Sequence, residues 1–184
     1  MGLRLHSNHL YFDRVHPVVP IIHQGRYFSR SEEQNNSAHA SLQYAMWALA
    51  TCASAQFQGL RERLHAHARL VLEGLDCDEL FSASPSVEQA QAWLLVAHYE
   101  FCYMNFQRAW ITMGRAFRVI QLLRLHEIDR QSIVPISLCA EDWIILEEQR
   151  RTFWVAYTLD HYVNICKNWP LGLQEETVIS PTLR

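Results

Sequence analysis

The 184 residues suit one domain with a sizeable core, and 49% hydrophobic with 19% charged residues is an ordinary globular balance. Six glycines and six prolines are too few for a turn-rich β-sandwich, and a net charge of −3 excludes nucleic-acid binding by bulk phosphate neutralisation. No secretory leader or polybasic import cluster is seen, the apolar run 45–55 is too short to span a bilayer, and His6 replaces the Ser or Thr of a myristoylation signal, so a soluble intracellular chain is expected.

In chain order, residues 8–30 contain a short helical turn, then Pro17 and Pro20, which forbid a helix through His-Pro-Val-Val-Pro and favour an extended crossing. Residues 31–37 form a polar loop. An Ala-rich helix is expected over 38–58, and a second over 61–75 with Leu64, Ala68, Val71 and Leu75 inward. A loop follows from 76. Ser86 with Gln89 fits an N-cap pair, and Ser84 with Pro85 at the first helical position is an equal alternative. The next helix turns near Asn105 into another, where Phe106, Trp110, Met113, Phe117 and Ile120 form a stripe that leaves Arg108, Arg115 and Arg118 mostly outside. Residues 126–140 hold a break. A final helix over 141–168 is apolar on two faces, as a central, buried helix should be, and Pro170 and Gly172 end it. The expectation is an all-α domain of about six helices, hairpin-packed at 87–125, with no 34-residue repeat.

Chemistry is sparse. His65 and His67 diverge by about 200° on a helix, as do His98 and Glu100, and no H-E-x-x-H occurs. G-x-S-x-G, G-x-G-x-x-G and the Walker phosphate loop are absent, and the acidic run 76–80 reads as a solvated loop. Cys52, Cys77, Cys102, Cys139 and Cys166 are never closer than 25 residues, which predicts neither a disulfide framework nor a zinc pair, but small buried hydrophobes. No catalytic residue, metal site or cofactor is expected in this chain.

The last helix poses the sharpest question. Trp143, Leu146, Arg150, Phe153, Trp154, Tyr157, Asp160 and His161 share an arc of roughly 120°. Arg150 and Asp160 stand about 15 Å apart, too far to pair. Glu147 is placed to serve Arg150 and Arg151. Asp160 is expected to find a cation on another helix, Arg115 or Arg118, as part of a buried ion-pair lock; a ligand-binding role for Arg150, Asp160 and His161 is the alternative.

These same residues carry a resemblance. Glu147, Arg150, Arg151, Phe153, Trp154, Asp160 and Pro170 are similar to the signature of the fungal-specific transcription factor domain, the middle homology region of zinc binuclear-cluster regulators of the xylanolytic-activator type. Ala109, Trp110, Gly114, Ala116, Arg118, Leu125 and His126 resemble a second motif of that family, and residues 11–28 resemble its opening. Departures are His161 for an Arg, Asn168-Trp169 for Gly-Arg, and Arg124 for a Gly. The resemblance implies an all-α regulatory domain of a nuclear transcription factor, acting through intramolecular contacts, protein partners or small effectors, with no catalysis. Zinc and DNA binding belong to the family's cluster of six cysteines, which these residues do not contain. The family's domains continue through further helices, so an incomplete C-terminal end, exposed apolar faces and a protein partner or self-association are expected. A free-standing module that sequesters another regulator is the runner-up, and a small-molecule-binding helical enzyme the third reading.

Overall fold

The computed structural model describes residues 2–30, 37–77, 84–128 and 139–173. Seven α-helices and three short 3-10 segments make up the described chain, with no strand among those residues. The all-α expectation holds. The helices are α1 (Gly2–Arg14), α2 (Gln24–Arg30), α3 (Ser37–Ala50), α4 (Arg61–Cys77), α5 (Val87–Cys102), α6 (Phe106–Leu122) and α7 (Ala140–Lys167).

The extra helix comes from the N-terminal segment, where α1 runs to Arg14 and α2 follows the prolines. The crossing between them is not extended. Val15, His16, Val18, Val19 and Ile21 amides all donate to carbonyls two to five residues back, and His16 Nε2 lies 2.8 Å from Ile22 O. Proline removed the helical donor, but local turns satisfy the remaining backbone. Asn8, buried, then joins three elements: its Oδ1 accepts from Trp47 Nε1 at 2.7 Å and Tyr27 OH at 3.2 Å.

The Ala-rich helix stops at Ala50, eight residues before Gln58. Thr51 Oγ1 turns back to Ala48 O at 2.6 Å, Ser54 is extended, and 3-10 turns carry the chain to Leu60. In α4 the buried stripe is His65, Ala68 and Leu72, rotated by one residue from the apolar one. The rotation brings a histidine inward, for a reason given below.

The central helix is α5. Eleven of its sixteen residues are buried, including Trp93, Leu94 and Leu95. Ser86 is its N-cap, accepting from Gln89 N at 3.1 Å, which settles the choice of start. Asn105 caps α6 by accepting from Arg108 N at 3.3 Å, so α5 and α6 form the expected hairpin.

α7 is not the central helix. Only Thr152, Phe153, Ala156, Leu159, Asp160 and Val163 are buried among its 28 residues. That arc is centred about 90° away from the aromatic one. Trp143 and Trp154 are 55% and 43% exposed, and Tyr162 and Ile165 extend the exposed ridge. Apolar character on two faces marked one face for the core and one that the described residues leave open.

Two departures from the family pattern fall on left-handed residues. Arg124 (φ 55°) ends α6 and Asn168 (φ 54°) ends α7, where the family carries glycine. Asn tolerates this conformation, whereas Arg is strained there. The exposed Arg124–Glu127 pair, 2.8 Å, offsets little of that cost. Arg124→Gly is expected to raise stability by about 0.5–1 kcal/mol, read as a higher urea midpoint at constant slope; an unchanged or lower midpoint refutes the strain.

Residues 31–36, 78–83 and 129–138, where the sequence predicts loops or a break, lie outside the described residues, as do residues 174–184.

Candidate functional site

The polar residues of α7 do not converge. Glu147 holds Arg150 at 2.8 Å and Arg151 at 2.8 Å, as spacing predicted. The Arg151 hydrogen bond leads, with Arg150 adding to it, in keeping the Glu147 carboxyl below its ordinary range. All three are partly or well exposed, so this is a surface triad.

Among the described residues no lysine or arginine pairs with Asp160. Its Oδ2 accepts the Gly172 and Leu173 amides, each at 2.8 Å, and the carboxylate anchors the chain as it leaves α7. Arg115 instead bridges Glu73 and Asp76 at 3.5 and 3.6 Å, and Arg118 donates to Gln121 at 2.8 Å. Burial pushes the Asp160 carboxyl up, and the two amides only partly counter it. Backbone donors serve here because Gly172 lies flat against Phe117: a Cβ there would sit 2.6 Å from the ring. The adjoining Trp169 ring meets Trp110, centroids 5.2 Å apart.

The other signature residues spread along the same seam. Phe153 is buried and Trp154 half-exposed, Pro170 is exposed, and His126 sits 3.4 Å from Glu127. Gly114 has open space where a Cβ would go, so close packing does not require a glycine.

The ion-pair lock exists, but on Glu100. This 2%-exposed side chain on α5 gathers His65 Nε2 at 3.0 Å and Arg69 Nη1 at 2.9 Å from α4, and Arg108 Nε at 3.0 Å from α6, all on Oε1. A carboxylate only accepts, so His65 Nε2 carries its proton. Arg69 also reaches Thr112 Oγ1 at 2.9 Å and Glu73 at 2.7 Å. The Arg69 and Arg115 guanidiniums lie 5.7 and 4.9 Å from the Trp93 ring centre. Glu100 diverges from His98, yet the sequence does carry a signal for this cluster. His65 and Arg69 are four apart on one helix and Arg108 and Thr112 four apart on another, each pair on one face.

A second missed cluster clasps the N-terminal segment to α5 and α7. Glu148 pairs with Arg26 and accepts the His23 amide at 2.6 Å; Glu88 faces Arg30 at 3.2 Å and His39 at 3.6 Å. Burial works to raise the Glu88 carboxyl, but His39 and the arginines outweigh it and hold it low. Gln91 Nε2 donates to Ile21 O at 2.5 Å, completing the join. Two clefts flank the Arg26–Glu148 pair. One, about 240 Å³, is lined by Tyr27, Arg30, Glu88 and Gln91; the other, about 300 Å³, by His16, His23, Trp143 and Arg151. These volumes are at or below the lower end for small-molecule sites. Charges of both signs line them, and no nucleophile with an aligned base is present among the described residues. Nor does any group of three His, Cys, Asp or Glu side chains there have metal-holding geometry.

Comparison with known proteins agrees with the signature. The fungal specific transcription factor domain matches residues 9–183. The chain is 49% identical over 173 residues to the pigment biosynthesis transcriptional activator pigB of Monascus ruber, covering 92% of this chain and 31% of that protein. It is 44% identical over 165 residues to the tropolone cluster transcription factor tropK of Talaromyces stipitatus, covering 89% and 29%. The citrinin biosynthesis transcriptional activator mrl3 of Monascus ruber is 42% identical over 173 residues, covering 93% and 33%. The chain thus spans about a third of the length of the curated relatives it matches. No solved structure matches. The relatives are transcription factors and not enzymes, and the chain belongs to the fungal specific transcription factor domain family.

Proposed function

We propose that this chain is the regulatory part of a nuclear transcription factor that controls RNA polymerase II transcription of a biosynthetic gene cluster. The observation that carries the reading is the family match over residues 9–183, joined to three relatives whose names specify biosynthesis or a cluster. The geometry supports a regulatory role over a chemical one. Its buried charges are spent on joining helices, at Glu100 between α4, α5 and α6 and at Glu148 between the N-terminal segment and α7. DNA and zinc binding are assigned to the family's six-cysteine cluster, not to any residue described here.

The exposed ridge of Trp143, Trp154, Tyr162 and Ile165 on α7 supports a protein contact as the mode of action, by self-association or a partner, which also keeps the sequestering module in view. A small effector in the clefts beside Glu148 is a further route.

The test fuses residues 1–184 to a heterologous DNA-binding domain in a fungal reporter strain. Reporter output is expected to rise or fall at least about threefold against the DNA-binding domain alone, about 0.7 kcal/mol in an occupancy equilibrium. Unchanged output with the fusion expressed and nuclear overturns the proposal.

A further inference from the structure

The outward side of α7 has the same spacing in both directions. Ile144, Glu147, Arg151, Trp154, Thr158 and His161 follow one another at steps of 3, 4, 3, 4 and 3, which sets them in one row along the helix. None of the six is buried, and the row lies across α7 from the buried Thr152, Ala156, Leu159 and Val163. Beside its N-terminal half opens the cleft of about 300 Å³, lined by Trp143, Ile144 and Glu148 of α7 and by Pro20 and Ile22. Beside its C-terminal half stands the exposed Tyr162. Glu148 and Tyr162 are 14 positions apart, about four turns, so knob and cleft share one flank of the row.

We propose that α7 pairs antiparallel with α7 of a second copy of this chain, each copy seating Tyr162 in the other's cleft. A twofold axis must match a surface to its own reverse, and this row does so. An axis passing between Thr152 and Phe153 sets Arg151 against the partner's Trp154, Glu147 against the partner's Thr158, and Ile144 against the partner's His161. Ala140 then faces the partner's Ile165. Guanidinium meets indole, carboxylate meets an uncharged hydroxyl side chain, and no like charges are opposed. The same axis brings the partner's Tyr162 to the height of Trp143, on the flank where the cleft opens. Sliding by one heptad leaves either Tyr162 and Ile165 beyond the start of the partner's α7 or Trp143 beyond its end.

Charge sets the direction. The first turn of α7 carries Glu141 and Asp142 and the last carries Lys167. Antiparallel pairing brings the acidic end of each copy to the basic end of the other, whereas parallel pairing stacks like on like. The facing rows from Ala140 to Ile165 run about 38 Å at 1.5 Å per residue, and a contact about 10 Å wide covers roughly 400 Å² per copy. A stable complex buries about 800 Å² per partner, so this pairing is of the transient kind and depends on concentration. It rests on the self-association reading of the exposed ridge and gives that reading a register.

The test follows the purified 184-residue chain by sedimentation equilibrium from about 1 to about 500 µM, which brackets a contact of this size. All five cysteines are exposed, contrary to the sequence expectation of buried thiols, so a reductant is present throughout to exclude disulfide-linked dimers. The average mass is expected to climb from one copy toward two and to fall again on dilution. Thr158 is exposed, and Glu and Lys are both better helix formers than Thr, so substitution there keeps α7. The axis places position 158 against Glu147 of the partner subunit twice over. Thr158→Lys should therefore tighten the dimer at least about threefold at low salt, and Thr158→Glu weaken it as much. Tyr162→Ala should weaken it too, by vacating the cleft. A chain that stays monomeric at the highest concentration overturns the proposal. So does a shift of both Thr158 variants in one direction, as parallel pairing requires, or a Tyr162→Ala variant that dimerises like the wild type. A monomeric chain that still moves the reporter removes the pairing and leaves the regulatory reading standing.

Discussion

Replacing Glu100 with alanine is expected to destabilise the fold by about 3–5 kcal/mol, the range for removing one partner of a buried ion pair. The reason is what remains. His65, Arg69 and Arg108 converge on one oxygen of that side chain, and Arg69 is largely buried. Without the carboxylate, the largely buried Arg69 is left without its buried counter-charge while the half-exposed Arg108 turns to solvent, and α4, α5 and α6 lose their common anchor. For a chain of this size that corresponds to a drop of about 10–15 °C in melting temperature. Circular dichroism melts of the wild type and Glu100→Ala at pH 7 measure it, and a drop under about 3 °C would show that the network is not a lock.

The pH dependence has a definite sign. Burial acts to raise the Glu100 carboxyl, but the hydrogen bonds from His65 and Thr112 and the Arg69 charge prevail and hold it below its ordinary 4.5. A carboxyl depressed in the folded state contributes stability that is full above 4.5 and is lost as pH falls through the depressed value. The gap between wild type and Glu100→Ala should therefore narrow on acidification below 4.5. A gap that stays constant down to where both unfold would contradict the linkage.

Asp160→Ala is expected to cost about 2–3 kcal/mol, through loss of two short hydrogen bonds to a charged acceptor and an orphaned Leu173 amide. Asp160→Asn should cost under about 1 kcal/mol, because a carboxamide oxygen can take both amides. Burial works against the ionised aspartate. Burial raises its carboxyl above the ordinary 3.8, so the native state holds that proton more tightly than the unfolded chain does. Stability is lost as pH rises through the interval from 3.8 to the raised value, and asparagine escapes that loss. Chemical denaturation of both variants at pH 7 separates the readings. If Asn is as damaging as Ala, the carboxylate has a cationic partner after all and the capping account fails.

Much of this was legible in the sequence because it rests on local rules. Helical periods, the Ser86 cap, the turn near Asn105, the α5–α6 hairpin and the Glu147–Arg150–Arg151 triad each depend on residues within a few positions of one another, where spacing alone sets geometry. The ordered motifs from residue 11 to Pro170 likewise pointed to the family. Other features needed the packing. An aromatic arc on α7 looked like a core face, but a second apolar stripe offered equal burial, and only the packing of α7 against α5 and α6 chose between them. Asp160 looked in want of a cation. A backbone turn at Gly172 supplied two amides, a partner that carries no side-chain signature.

By itself, then, the sequence determined the all-α class, most helix limits and the family, since propensity, capping and amphipathic period are properties of short segments. The tertiary structure alone decided which helix is central and which carboxylate gathers the arginines. Long-range pairs form only where rigid helices cross, and nothing in the intervening residues encodes which faces will be opposed.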